Sequence, residues 1–200
     1  MRKLNCKISI LNKKHIKKIS KIHQEEIDVG ALDLFGIKFL INIYHELLKE
    51  NFGLVAESGN EIIGFITVTK KDISYIKCLS STSFIIFIFN IFKKFKKFIS
   101  FLILFNEVYI KKSWDMKSVT SSKSIELFSI AVKKKYQGQG VGKKLIEALE
   151  QKVKDDGSDE IFTRTHNVEL LNFYYRTKKA KFLKRIVLQN YNLNIVKWKI

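Results

Sequence analysis

Two hundred residues of 23.4 kDa suit one domain spanning 1–200 with room for an insertion, and 46% apolar residues with 12% aromatics exclude global disorder. The formal charge of +18 rests on 37 basic residues, of which Arg2, Arg164, Arg176 and Arg185 are the arginines. Readers of nucleic acid lean on arginine's bidentate fork, so no nucleic-acid partner is expected. A lysine-rich chain without proline leaves two readings, a compositional bias of the source or a basic surface that attracts an anion.

The chain start, Met1 to Leu11, is basic but has no apolar run long enough for a signal peptide. Cys6 and Cys78 form no CxxC and no disulfide framework, which points to a reducing, cytoplasmic setting. His15, His23, His45 and His166 lack clustered spacing, so each reads as a surface or locally bonded histidine and no metal site is expected.

Lys7 to Leu11 alternates weakly and reads as a first strand. Lys13 to Ile27 places Ile16, Ile19, Ile22/His23 and Ile27 at helical spacing, and Ile37 to Lys49 presents a broad apolar face from Phe39 to Leu48, a second helix. Phe52 to Glu57 and Glu61 to Thr69 flank Ser58-Gly59-Asn60, a hairpin signal because glycine and asparagine tolerate positive φ. Lys70 to Lys123 interrupts the rhythm, with Phe84 to Phe92 and Phe98 to Phe105 separated by Lys93-Lys94-Phe95-Lys96-Lys97. The combined length tempts a membrane span. Four central lysines, at about 2.5–3.5 kcal/mol each, oppose it. Helices covering the core or a substrate cleft remain, as do interfacial segments lying on an anionic membrane through 84–105. Ser124 to Val132 is a strand, Tyr136 to Gly142 a glycine-rich turn and Val141 to Val153 an amphipathic helix ended by Gly157. Glu160 to Thr165 is a strand, Val168 to Arg176 a helix, and Phe182 to Leu188 with Asn194 to Ile200 a closing hairpin. The order β-α-α-β-β, insert, β-α-β-α-β-β implies an α+β fold that mixes antiparallel hairpins with a parallel crossover.

The chemistry concentrates in Glu126-Leu-Phe-Ser-Ile-Ala-Val132, Lys-Lys-Lys-Tyr, and Gln137-Gly-Gln-Gly-Val-Gly142. A strand feeds a turn that opens directly into a helix, and glycines at alternate positions remove the Cβ atoms that would bar an approach to the backbone. The amides of such a turn point outward at the positive end of the helix dipole, a cradle for a diphosphate. Lys143 and Lys144 in the first helical turn oppose that dipole unless an anion sits there. The dinucleotide fingerprint GxGxxG fails, because Lys143 stands at its sixth position. The P-loop GxxxxGK[ST] fails too, with Gln137 five residues before Gly142 and Lys144 where Ser or Thr belongs.

The pattern that is met, Q/R-x-x-G-x-G/A on Gln137, Gly140 and Gly142, resembles the acetyl-CoA pyrophosphate loop of the GNAT superfamily of N-acetyltransferases. Ile130-Ala131-Val132 is similar to that family's fourth strand, and His166-Asn167-x-x-Leu-x-x-Phe-Tyr174-Tyr175 to its N-x-x-A-x-x-F-Y helix. Element order is similar over Lys7 to Lys70 and Ser124 to Ile200, motifs over Glu126 to Arg176. The resemblance implies a GNAT fold: a mixed, mostly antiparallel sheet flanked by helices, with splayed fourth and fifth strands and a helical, hydrophobic insertion at about 71–123. It implies that Ile130, Ala131 and Val132 offer main-chain groups to pantetheine, and that Gln137, Gly138, Gln139, Gly140, Val141, Gly142 and Lys143 hold the pyrophosphate. It also implies that Asn167 contacts the pantetheine arm and that a tyrosine lies near the thioester sulfur. The family's Y-x-x-x-G-F departs here into Tyr174 to Phe182 without glycine. That leaves Tyr174 and Tyr175 as alternatives, Tyr174 being preferred on its distance from Asn167.

The implied function is acetyl transfer from acetyl-CoA, a co-substrate, to a primary amine of a small molecule, amino sugar or protein by direct attack in a ternary complex. A neutral nucleophile is required, and Glu126 sits where several family members carry the base that provides it. Glu126 facing solvent from a strand edge and Tyr174 as a packing residue are the competing readings. Glu25, Glu26, Asp28 and Asp33 form an acidic group on the acceptor side that attracts a cationic amine or solvates a helix end. Phe35-Gly-x-x-Phe-Leu-x-x-x-Tyr44 with the long insert resembles bacterial members of the family. A catalytically silent acyl-CoA-binding or membrane-surface-associated module with the same fold is the alternative, and the oligomeric state, a dimer included, stays open.

Overall fold

The computed structural model describes residues 5–27, 35–70, 75–78, 80–93, 95, 98–99, 102, 121, 123–187 and 192–200. In chain order these form β1 (Lys7–Ile10), α1 (Ile16–Glu26), α2 (Gly36–Glu50), β2 (Phe52–Ser58), β3 (Glu61–Thr69), α3 (Tyr75–Cys78) and α4 (Ser81–Lys93). β4 (Ser124–Val132), α5 (Val141–Asp155), β5 (Glu160–Thr165), α6 (Val168–Lys178), β6 (Lys181–Val187) and β7 (Asn192–Lys199) complete the fold. The sheet order is β1-β2-β3-β4-β5-β7-β6. β4 and β5 pair in parallel and every other neighbouring pair is antiparallel. This is the α+β architecture, antiparallel hairpins with one parallel crossover, expected from the order of elements.

The sheet carries a core on each face. On one, α5 buries Val141, Leu145, Ile146, Leu149 and Val153 at the expected i, i+4 spacing against Leu54, Ile66, Ile125 and Ile161. Each such side chain contributes about 1.5–3 kcal/mol by leaving water, so the helix is held by its stripe rather than by its first turn. On the other, Ile16, Ile19 and Ile22 of α1 and Tyr44 and Leu47 of α2 pack on Val55, Phe65 and Ala131. The hairpin turn falls where expected, with Gly59 at φ 58.

Within the insertion, Tyr75–Cys78 and Ser81–Lys93 are helical. From α4, Phe87 stacks on Phe35 with centroids 4.6 Å apart, and it joins Phe39, Leu40, Ile43, Cys78, Phe98 and Phe128 in a third cluster. The insertion therefore covers part of the α2 side of the sheet, reaching β4 through Phe128. Phe84, Ile85, Ile88 and Phe89 of α4 remain exposed. No helix among the described residues is long and apolar enough to cross a membrane. Most of the second expected segment, Phe98 to Phe105, lies outside the described residues, as do Asp28 and Asp33.

α6 runs two residues beyond the expected Arg176 and ends on Lys179, whose φ of 50 is the left-handed conformation. This is the usual place for glycine after a helix, and a side chain there is strained by about 1–3 kcal/mol. Lys179→Gly should raise the unfolding free energy by about 0.5–1 kcal/mol once glycine's extra unfolded-state entropy is subtracted. Urea denaturation measures it.

Candidate active site

The geometry of the site begins with a defect in the sheet. β4 pairs with β5 only from Ser124↔Glu160 to Leu127↔Thr163, while β4 continues along β3 to Val132 and β5 along β7 to Thr165. Beyond Leu127 the two strands share no rung. On the β3 side the register shifts, so that Thr67 faces Ser129 and Val68 faces Leu127, which leaves Phe128 as the extra residue of a bulge. A bulge bends and twists its strand, and here it occurs where β4 leaves β5. It also resets the alternation. Ile125 and Leu127 face the α5 core, Phe128, Ser129 and Ala131 the α1/α2 side, and Ile130 and Val132 the α5 core again.

Main-chain groups along the gap follow from the antiparallel alternation. The Lys133 amide donates to Ile63 O over 2.9 Å, which puts Ala131, two residues back and opposite Phe65, on the β3-facing phase. Ile130 and Val132 then direct their main-chain groups at the gap. The Val132 carbonyl accepts from Gln137 Nε2 at 2.8 Å.

The glycine-rich loop stands at the mouth of this gap. Gly138 and Gly140 have φ of 72 and 85, which other residues adopt only with strain, and space around the missing Cβ of Gly140 is clear for 4 Å. The first helical bond of α5 is Lys144 N to Gly140 O, 3.1 Å, and no side chain caps the terminus. The amides of Val141, Gly142 and Lys143 thus have no partner among the described residues, while the helix dipole adds positive potential at the same spot. Lys143 is exposed and pairs with Glu147 at 3.7 Å. Unpartnered donors, a backbone open to approach and a lysine fit a diphosphate.

Two glutamates hold the loop. Glu26, at the end of α1, accepts from the Lys134 amide at 2.9 Å and from Gln137 Nε2 at 3.2 Å. It therefore serves the loop, and Glu25 pairs with Lys21 at 3.8 Å, so these two members of the acidic group are engaged within the protein. Glu61 accepts from Lys133 Nζ at 2.7 Å, Tyr136 Oη at 2.7 Å and Lys135 Nζ at 3.1 Å. Those donors, Lys133 first, push its carboxyl down to about 2, so it stays ionised and the anchor stays intact through the neutral range.

Glu126 lies on β4 next to the last rungs of the parallel pair. Its Oε1 accepts from both Arg164 Nε, 2.7 Å, and Arg164 Nη2, and Thr69 Oγ1 is 3.5 Å from Oε2. Both ion-pair partners are largely buried, their side chains 14% and 19% exposed. Oε1 is committed to the guanidinium, and Oε2 is the oxygen left to take a proton.

Asn167 caps α6, its Oδ1 accepting from the Leu170 amide at 2.8 Å. Seven residues on, Tyr174 is fully buried, stacked on Trp198 with centroids 5.1 Å apart, while Tyr175 is exposed. Glu150 of α5 fixes this arrangement by accepting from Trp198 Nε1 at 2.8 Å and Lys178 Nζ at 2.7 Å. The Tyr174 hydroxyl has no hydrogen-bond partner within the protein among the described residues. Burial raises its pKa far above the ordinary value, offset in small part by the nearby Thr163 hydroxyl. Thr163 itself donates to Leu127 O at 3.0 Å, and Leu127↔Thr163 is the last rung before the gap. A buried hydroxyl with an unused proton therefore stands beside the point where the strands part. An orphaned buried hydroxyl costs about 1–3 kcal/mol. Tyr174→Phe should raise stability by about 1 kcal/mol and lower kcat about tenfold, measured by thermal melting and steady-state rates.

An open sheet whose central strands separate beside an uncapped, glycine-led helix has room and donors for an extended, phosphate-bearing ligand. Residues 21–178 match the Acetyltransferase (GNAT) family, and the chain belongs to that family. An N-acetyltransferase from Staphylococcus aureus is 14% identical with a TM-score of 0.61, covering 98% of this chain and 99% of that one. An acetyltransferase of Bacillus subtilis in complex with CoA is 14% identical, TM-score 0.58, over 98% and 99% of the two chains. The PaiA N-acetyltransferase of Thermoplasma acidophilum in complex with coenzyme A is 15% identical, TM-score 0.57, over 98% and 100%. At these identities the structures share the fold. No curated protein matches the sequence.

Proposed function

We propose that the protein is an acetyl-CoA-dependent N-acetyltransferase that transfers the acetyl group to a primary amine by direct attack in a ternary complex. The observation that carries this reading is the set of unpartnered amides at Val141 to Lys143, set at the mouth of the gap between β4 and β5. In this reading residues 137–143 hold the diphosphate, and pantetheine lies along Ile130 and Val132 as an added strand. Asn167, whose Oδ1 is engaged in the cap, has its Nδ2 left for the arm.

Transfer forms a bond between the amine nitrogen and the acyl carbon, breaks the carbon–sulfur bond and leaves the electron pair on sulfur. Thiols titrate near 8.5, so the sulfur departs as thiolate with modest help. Tyr174 supplies that help as a hydrogen bond, because a phenol held this tightly to its proton does not release it fully to a thiolate. Glu126 is the base that takes a proton from the amine through Oε2, directly or by way of water. The exposed apolar face of α4 beside Lys93 supports peripheral contact with an anionic bilayer.

Calorimetry with CoA and acetyl-CoA, followed by thiol release over a panel of small amines, amino sugars and peptides, tests the reading. Heat from both ligands and turnover with an amine are expected. No heat from either ligand overturns it, and heat without turnover makes the chain a silent acyl-CoA-binding module.

A further inference from the structure

A line of polar side chains crosses the apolar packing between the sheet and the α1/α2 pair. His23 Nδ1 lies 2.5 Å from the Tyr44 hydroxyl, Tyr44 Oη 3.1 Å from Ser129 Oγ, and Ser129 Oγ 2.7 Å from Thr67 Oγ1. The four residues are 6%, 0%, 7% and 0% exposed in that order, so the chain runs through the interior. Phe65 brackets it, near-parallel to the His23 ring at 6.3 Å and edge-on to Tyr44 at 5.7 Å. Water is excluded there, which strengthens each bond of a satisfied chain.

Between Tyr44 and Thr67 the line passes through β4 at Ser129. Ser129 stands two residues past Leu127, the last β4 residue that pairs with β5, and the bulge at Phe128 turns it to the α1/α2 side. If pantetheine lies along Ile130 and Val132, the thioester falls at the Phe128–Ser129 level, one strand rise of about 3.3 Å further in.

Proton balance gives such a chain a use. An alkylamine reaches the site mainly as ammonium, since amines of this kind titrate near 10.4, and an amide nitrogen retains two fewer protons than that ammonium had. One proton leaves before attack and one with bond formation. Glu126 can hold the first. Resting on the acetyltransferase reading, we propose that the second passes to Ser129 and through Tyr44 to His23. As the carbon–nitrogen bond forms and the carbon–sulfur pair moves to sulfur, Ser129 Oγ accepts the proton from nitrogen. Its own proton moves to Tyr44 Oη, and the Tyr44 proton to His23 Nδ1. The imidazolium then returns its proton along the same path after the amide leaves.

Ser129 is the catalytic residue of this step; Tyr44 and His23 are positioning residues that act through it. Burial raises the Tyr44 pKa well above the ordinary tyrosine value, so Tyr44 gives and takes a proton in one event and stores no charge. Storage falls to the imidazole, the side chain that titrates near neutrality. Against that ring α2 places Tyr44 and β3 Phe65. One turn on along α1, the Glu26 carboxylate is engaged by Lys134 and Gln137.

The test uses whole-chain Ser129→Ala, Ser129→Thr and Tyr44→Phe proteins, with CoA calorimetry run on wild type and on each. Ser129→Ala and Tyr44→Phe should lower kcat about ten- to a hundredfold, with the KM for acetyl-CoA and the CoA heat unchanged. Ser129→Thr should restore most of the rate. A proton inventory of kcat in mixed light and heavy water should be curved in wild type and straight in Tyr44→Phe, a change that loss of packing alone does not produce. Unchanged kcat in Ser129→Ala, or a straight inventory in wild type, overturns the relay while leaving the acetyltransferase reading standing. Absence of CoA heat in wild type overturns that reading instead.

Discussion

Gly140→Asp is expected to weaken CoA binding by about 10³-fold. An added Cβ at Gly140 meets no protein atom within 4 Å, so the damage falls first on whatever approaches the loop. A carboxylate about 4 Å from one phosphate charge, at an effective dielectric near 20, is opposed by about 4 kcal/mol, and each 1.4 kcal/mol is a factor of ten. The φ of 85 at this position adds about 1–3 kcal/mol of backbone strain, which lowers stability and not affinity. Gly59 separates the two effects. It too is left-handed, at φ 58, with nothing near its missing Cβ, but it sits in the β2–β3 turn. Gly59→Asp should lower the melting temperature comparably and leave the CoA isotherm unchanged. Calorimetry on both variants, alongside thermal melts, decides the matter. Equal affinities in the two proteins would mean that the amides of α5 do not face the diphosphate.

Local chemistry was readable before the fold was known. The strand, glycine turn and helix from Glu126 to Leu149 form one continuous stretch, and the Ser58-Gly59-Asn60 hairpin needs only residues that accept positive φ. What escaped reading depends on register. Arg164 meets Glu126 because β4 and β5 pair Glu126 with Phe162, which sets Arg164, two residues on and just past the last rung, on the same face. No spacing in the chain announces that pairing. The bulge at Phe128 is equally silent, since Ile125 to Val132 carries apolar residues on both phases. Only folding brings Glu26 and Glu61 to the loop more than 70 positions away. The His23–Tyr44–Ser129–Thr67 line draws one residue from each of four elements. The insertion resisted for another reason: its Phe and Ile residues suit a covering helix and an interfacial one equally, and periodicity cannot say which face meets protein.

Glu126→Gln is expected to lower kcat by about 10²–10³ at neutral pH with CoA affinity intact, because the glycine-rich loop lies at the other end of the gap. Glutamine keeps the length and an oxygen that can still accept from Arg164, so the fold loses a charge interaction but little shape. What it loses outright is the ability to hold a proton at Oε2. With that base gone only the small neutral fraction of the amine can attack, so the lost rate should return as the pH rises towards the amine's own titration near 10.4. The competing account makes Glu126 a brace that ties β4 to β5 through Arg164 just before the strands part. A brace predicts the opposite division: a lower melting temperature and a modest loss of rate that raising the pH does not restore. Arg164→Lys sharpens the contrast, for it retains a cation near Oε1 while giving up the two-pronged geometry. If Glu126 is a base, that variant keeps most of kcat; if it is a brace, it loses stability in step with Glu126→Gln.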